Sequence, residues 1–330
     1  MKIMIIKLGA KGDVVRTLPV IPALKEKYPQ SEIYWITKEN IADLFRGNSY
    51  ITRVFSLPYK QGKENFDLLF NFDTEEQAMT IANQIKAEKK LGFKAEDGFP
   101  VAFNLGAEYY LNTMFDDELK KTNKKTYQEM MFNAAELEWK NQKPKIFLND
   151  GEVKFGKDFL GKYKVGNHKI IGIHLGASPR WPSKAWHQEE LKEFINLVDK
   201  ENFKTILFGG PDEVEKHSKI IKELRDMGIQ ILQNNPHNTN REFFSLVNSC
   251  DVMICGDSFA LHVALALNKP TIGLFFCTSP DEIEGYGLLK KIVSPKLYEF
   301  FPERMDEYSE ELVRSIKASD VLKELKEMAG

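Results

Sequence analysis

The feature that most constrains this chain is a unit that occurs twice: a short apolar run, a glycine turn, then a stretch with helical spacing. "KIMIIK" (2–7) leads into "LGAKGD", and "KIIGIHLG" (169–176) leads into "ASPRWPSKAWH". A continuous apolar run bounded by turn residues suits a strand buried on both faces, as in a parallel sheet covered by its crossover helices. "EIYWIT" (32–37), "FDLLFNF" (66–72), "KTILFGG" (204–210), "DVMICGD" (251–257) and "PTIGLFF" (270–276) read the same way. Between them, residues 74–87, 186–201, 212–228, 241–250 and 258–268 have helical spacing. The clearest is 186–201, where Leu191, Phe194, Ile195 and Val198 form an i, i+3, i+4, i+7 stripe. Gly228 is the expected C-terminal stop of 212–228.

Strands alternating with helices in both halves predict two Rossmann-like, doubly wound parallel-sheet domains facing across a cleft, with ligands beyond the strand C-termini. The 330 residues suit two such domains. Pro144, Gly161 and Gly166 punctuate a weakly patterned stretch, so the expected division is 1–160 and 161–330. The C-terminal "ASDVLKELKEMAG" (318–330) has helical periodicity.

The overall charge of −2 gives no basic excess, which argues against a nucleic-acid partner. Cys250, Cys255 and Cys277 lack metal-ligand spacing and read as buried apolar residues of a reduced compartment. No signal-peptide pattern opens the chain and no run approaches a membrane span, so the expectation is a cytoplasmic protein, at most peripheral on a membrane.

Four loops carry chemistry. "GAKGD" has neither dinucleotide-loop nor P-loop spacing, but Gly9 and Gly12 allow close backbone approach and positive φ. Asp13 is read either as a helix N-cap or as a carboxylate displayed for general-base work. "HLGASPRWPSKAWH" offers Ser178, Arg180, Ser183 and Lys184 to phosphate oxygens, with Trp181 and Trp186 as core or ligand wall. "FGGPDEVE" places Asp212, Glu213 and Glu215 in a first helical turn, where one can accept from a ribose hydroxyl. In "CGDSFALHVALALNKP", Asp257 and Ser258 stand at a helix start and His262 one turn on, either in the core or in the site.

In order along the chain, "KLGAKGDVVRTLP", "RWPSKAWH", "LFGGPDE" and "DSFALHVALALNKPTIGLF" resemble the motifs of glycosyltransferase family 9, the lipopolysaccharide heptosyltransferases. The resemblance spans nearly the whole chain. It implies a GT-B fold, an N-terminal acceptor domain, a C-terminal nucleotide-sugar domain, a last helix that can pack back on the first domain by analogy with other GT-B proteins, inversion at the anomeric carbon, and no required metal or cofactor. It makes Asp13 the base that deprotonates the acceptor, and Lys184 the lysine that steadies the donor diphosphate. Glu213, with Asp212 as competitor, becomes the ribose acid, and Asp257, Ser258 and His262 the donor turn. Lys7, Gly12 and Arg16, around Asp13, are expected on the acceptor side. The implied donor is ADP-heptose and the implied acceptor a lipopolysaccharide core at the inner membrane surface. Lys120, Lys121, Lys124 and Lys125 either meet anionic groups there or form a solvated helix face. The chain departs from the family in having Phe259 where glycine follows "DS", and Phe276–Cys277 in the turn after the last strand of the motif. A nucleotide-sugar epimerase and a non-catalytic nucleotide-sugar-binding protein are the rival readings.

Overall fold

The computed structural model describes every residue except Ala177, Pro179 and Gly330. The chain divides into two compact units: residues 1–147 with 281–284, and residues 148–280 with 285–330.

The first unit is built on a six-stranded sheet: β1 (Lys2–Ile6), β2 (Glu32–Thr37), β3 (Ile51–Ser56), β4 (Phe66–Asn71), β5 (Ala87–Glu96) and β6 (Phe99–Ala102). Their order is β3-β2-β1-β4-β5-β6, parallel except for β6, which runs antiparallel to β5. Central β1 pairs through Ile5 with Trp35 on one side and Phe70 on the other. All three side chains are buried, as expected for a strand covered on both faces. Gly92 in β5 has φ +92°, and a Cβ there would lie 1.9 Å from the Asn71 carbonyl oxygen, so only glycine fits this register. Pro19 interrupts the helical stretch after β1, which forms two helices, Lys11–Thr17 and Val20–Lys27.

The second unit repeats the scheme with β7 (Ile170–His174), β8 (Lys204–Leu207), β9 (Ile231–Gln233), β10 (Val252–Gly256), β11 (Thr271–Phe275) and β12 (Leu289–Val293). The order is β12-β11-β10-β7-β8-β9, with every pairing parallel. Direction along the sheet reverses between β7 and β10, as it does between β1 and β4, and such a switch point opens a ligand crevice at the strand C-termini. The stripe Leu191, Phe194, Ile195 and Val198 is buried in this unit's core. Gly228, with φ +82°, ends helix Val214–Asp226 as expected.

Two organisational expectations are corrected. The division falls at 147/148 rather than 160/161, because Asn149 and Glu152 form a capping box that starts helix Asp150–Lys162. Glu152 also ion-pairs with Arg241, which ties this helix to the second unit. The C-terminal helix Ala318–Ala329 stays in the second unit, with Val321 and Leu325 buried in the same core as Phe194. The segment that joins the first unit is instead 281–284, where Tyr127 donates its amide to the Glu282 carbonyl at 3.0 Å and Lys124 pairs with Asp281 at 2.7 Å.

Candidate active site

In the first unit, Asp13 is not the N-cap. Ala10 holds that position, Gly12 lies buried within the helix, and Asp13 falls in its first turn. Neither Gly9 nor Gly12 has positive φ. Gly9 sits close against the residues below it: a Cβ there would lie 3.0 Å from Lys7 Nζ and 3.2 Å from Asp73 Oδ2. That carboxylate oxygen, at the end of β4, accepts the amides of Leu8 (2.8 Å) and Gly9 (2.6 Å) and lies 3.6 Å from Lys7 Nζ. Two adjacent strand ends are thereby clamped together beneath the turn. Lys7 is buried in this clamp rather than displayed. Burial alone would lower its pKa, but Tyr127, Asp73 and Asp13 outweigh it and hold the ammonium above its ordinary value.

Arg16, one turn on, grips Asp13 Oδ1 through Nε (3.0 Å) and Nη2 (2.8 Å). Its guanidinium lies 3.9 Å over the Tyr127 ring, and the Tyr127 hydroxyl is 3.0 Å from Thr17 Oγ1. Arg16 therefore orients Asp13, while a third of the Asp13 side chain stays exposed. An oriented, accessible carboxylate at a strand C-terminus is suited to taking a proton from a bound hydroxyl.

In the second unit the elements after β7 and β10 converge. Lys184, from a single helical turn at Pro182–Lys184, donates from Nζ to Asp257 Oδ2 (2.9 Å) and to the Asp257 carbonyl (3.2 Å). His262 Nε2 lies 3.9 Å from the other carboxylate oxygen of Asp257. A Cβ on Gly256 would meet the Lys184 carbonyl at 3.0 Å, so β10 ends in glycine where the loop crosses it. Ser258 is the N-cap of helix Phe259–Ala266, yet its side chain makes no capping bond and its buried hydroxyl oxygen has no hydrogen-bond partner. A buried polar atom without a partner carries a desolvation cost that a bound ligand can relieve. With a lysine beside the same turn, the natural occupant is an anion.

Glu213 forms a second group. Its Oε2 accepts from the Gly210 amide at 2.8 Å, and its Oε1 occupies the space a Cβ of Gly176 would take. Asp212, its competitor, is exposed. Two histidines that the sequence did not single out as site residues accompany Glu213. His217 is pushed down to about 4 by burial, against the opposing pull of Glu213. His174 is lowered for the same reasons, and its Nδ1 is buried without a partner. Both stay neutral beside the carboxylate. A small hollow of about 150 Å³ adjoins them, lined by Gly209, Gly210, His217, Ser218 and Asn234.

The loop residues separate into two kinds. Ser183 is fully buried: its hydroxyl donates to the Glu307 carbonyl (2.8 Å) and accepts the Ser309 amide (3.0 Å), so it braces the loop instead of offering a phosphate ligand. Trp186 is likewise core, its indole N–H donating to the Ile316 carbonyl at 2.9 Å. Ser178 and Arg180 are exposed, with Arg180 4.8 Å from the centre of the Trp181 ring. Phe276 and Cys277 are buried, and burial pushes the Cys277 thiol up to about 11. Among the described residues no cluster of three or more His, Cys, Asp or Glu is arranged to hold a metal ion, and no helix is long and apolar enough to cross a membrane.

Comparison with known proteins identifies the family. A family model described as glycosyltransferase family 9 (heptosyltransferase) matches residues 54–312. Lipopolysaccharide heptosyltransferase 1 of Campylobacter coli is 24% identical, with 100% of this chain and 99% of that protein covered. Among solved structures, a glycosyltransferase of family 9 from Veillonella parvula superposes with a TM-score of 0.79 at 18% identity, over 99% of this chain and 96% of that one. The E. coli ADP-heptose lipopolysaccharide heptosyltransferase II gives 0.69 at 18% identity, over 99% and 98%. The two doubly wound α/β units have the GT-B fold, and the chain belongs to glycosyltransferase family 9.

Proposed function

We propose that the protein is an inverting heptosyltransferase that moves heptose from ADP-heptose to a lipopolysaccharide core acceptor, with Asp13 as general base. The observation that carries this reading is the turn after β10, where Lys184 is held at Asp257 one residue before the partnerless Ser258 hydroxyl and a helix N-terminus. That set of donors suits a diphosphate that gains charge as it leaves. Asp13 removes the proton of the acceptor hydroxyl, whose oxygen attacks the anomeric carbon from the face opposite the diphosphate. The bond to the nucleotide breaks with its electron pair, and Lys184 with the helix amides stabilises that charge. Glu213 takes the ribose hydroxyls, Ser178 and Arg180 flank the phosphates, and His262 steadies Asp257. On the acceptor side Arg16 orients Asp13, while Lys7 and Gly12 shape the turn that carries it. Lys120, Lys121, Lys124 and Lys125 face the anionic surface on which a glycolipid acceptor lies, so the enzyme works on the cytoplasmic face of the inner membrane.

The test supplies ADP-heptose and heptose-free core acceptor to the purified protein and determines the anomeric configuration of the product by NMR. Inverted product with ADP released supports the proposal. Retained configuration, or calorimetric preference for UDP or GDP over ADP, overturns the mechanism or the donor respectively.

A further inference from the structure

Asp13 and Arg16 stand three residues apart on one helix. Such a pair ordinarily gains little, because an arginine in water has many other conformations open to it. Here the arginine side chain is largely covered, and the ring of Tyr127, on helix Tyr127–Ala134, lies 3.9 Å from its guanidinium carbon. A guanidinium is planar, so it gives its edge to a carboxylate and its face to a ring at the same time, which an ammonium cannot do. The edge holds Asp13 Oδ1 through both Nε and Nη2.

Tyr127 reaches the Asp13 helix a second time. The Thr17 hydroxyl donates to the Asp13 carbonyl at 2.7 Å, so the Tyr127 hydroxyl, 3.0 Å away, is the donor to Thr17 Oγ1. The tyrosine is fully buried and fixed from several directions. Thr126 and Glu129 form a capping box at the start of its helix, its amide donates to the Glu282 carbonyl, and the Tyr110 ring meets it edge-on at 5.8 Å. Around Asp13, Lys7 at the end of β1 and the hydroxyls of Tyr110 and Tyr127 all feel its charge, and Asp73 at the end of β4 pairs with Lys7. Burial pushes both phenols up, so both stay protonated and neither competes with Asp13 for a proton. What Tyr127 brings to Asp13 is the face of its ring, delivered through Arg16.

We propose that Tyr127 is a positioning residue for the transfer reaction: its ring fixes the Arg16 guanidinium, and through it the direction and the proton-free state of the Asp13 carboxylate. The proposal rests on the reading of Asp13 as general base. Without the ring, Arg16 is released toward water, and Asp13 is left less well aimed and readier to take up a proton.

The experiment measures transfer from ADP-heptose to heptose-free core acceptor as a function of pH, with thermal unfolding of each protein as a control. The proteins are the wild type, Asp13→Asn, Arg16→Gln, Tyr127→Phe, two variants that keep apolar bulk without a ring (Tyr127→Leu and Tyr127→Met), and the double variant Arg16→Gln/Tyr127→Leu. Tyr127→Phe keeps the ring and should hold turnover within about threefold, with the acid limb of kcat/KM in place. The ringless variants should lower kcat about tenfold with the acceptor KM within about twofold, the size of a covered cation–ring contact. Their acid limb should move to higher pH, in the direction of Arg16→Gln, for which about one pH unit is expected. The double variant should match Arg16→Gln alone, since a ring without its guanidinium has nothing to hold. Loss of folded protein, which the unfolding curves report, scales the profile without moving its acid limb.

An unmoved acid limb in the ringless variants, or losses that add in the double variant, overturns the proposal and leaves Tyr127 a core residue. An equal loss in Tyr127→Phe also overturns it, because the hydroxyl and not the ring then matters. Full turnover in Asp13→Asn, or no transfer by the wild-type protein, instead overturns the reading of Asp13 as base, and the proposal falls with it.

Discussion

Each unit places a carboxylate and a cation just past a central strand, after the first strand β1 in one and after β10, across the switch point from β7, in the other, and the two are built differently. In the first unit both partners come from one helix, Asp13 and Arg16, three residues apart. In the second the cation arrives from a distant loop, Lys184 onto Asp257, and the next residue keeps a hydroxyl without a partner. A pair on one helix is rigid and keeps its carboxylate displayed, which suits acid–base work. A pair assembled from two loops, beside spare donors, can re-form around an arriving anion.

The largest expected effect comes from removing the displayed carboxylate. Asp13→Ala should lower turnover by about a thousandfold, within the usual range for a general base, while the Kd for ADP stays unchanged in calorimetry. A drop in ADP affinity would break the division of labour between the units. Next comes acid sensitivity, because all six histidines lie in the second unit. His217 takes up its proton near 6.5 when unfolded and near 4 when folded. The unfolded state therefore binds more protons between these values, and stability is present above 6.5 and lost as pH falls toward 4. For His217 this amounts to about 3 kcal/mol at most. His217→Gln should flatten the dependence of the urea midpoint on pH across this window, whereas an unaltered slope would place the acid-sensitive group elsewhere.

Lys184→Ala should weaken ADP by between about tenfold and a hundredfold, the worth of a charge-assisted hydrogen bond, and leaves Asp257 facing the diphosphate. Equal binding of ADP before and after the change would remove Lys184 from the receptor. The smallest effect is reserved for Ser183→Ala, which should cost about 1 kcal/mol of stability by chemical denaturation without moving the ADP Kd. A selective loss of ADP binding would return Ser183 to the list of phosphate ligands.

The central strands were legible because burial on both faces leaves a continuous apolar signature: β1, β2, β4, β7, β8, β10 and β11 are all read directly from such runs. The edge strands β3, β6, β9 and β12, and β5 next to the edge, were not. "AEKKLGFKAE" of β5 mixes exposed Glu88 and Lys89 with buried Leu91 and Phe93, and "ILQ" of β9 is too short for periodicity to register. In the site, Asp13, Lys184, Asp257 and Ser258 stand out because turns after strands are where polar residues have a local reason to gather. Ser183 could not be sorted from its neighbours, because its two partners lie at 307 and 309. His174 and His217 were missed for a related reason: what marks them is burial beside Glu213, and burial of a lone histidine leaves no trace in spacing. Asp13 was misread as a possible cap because the helix starts earlier, at Lys11, without any side-chain cap.

The return of residues 281–284 to the first unit bears on how the molecule is made. The ribosome finishes the whole of the first sheet long before it adds Glu282, whose carbonyl receives the Tyr127 amide, and Asp281, which pairs with Lys124. Tyr127 is also the ring beneath Arg16. The N-terminal half thus emerges with its Asp13-bearing turn resting on a helix whose last tether has yet to be synthesised. That half reaches its final form only after most of the other half has been translated.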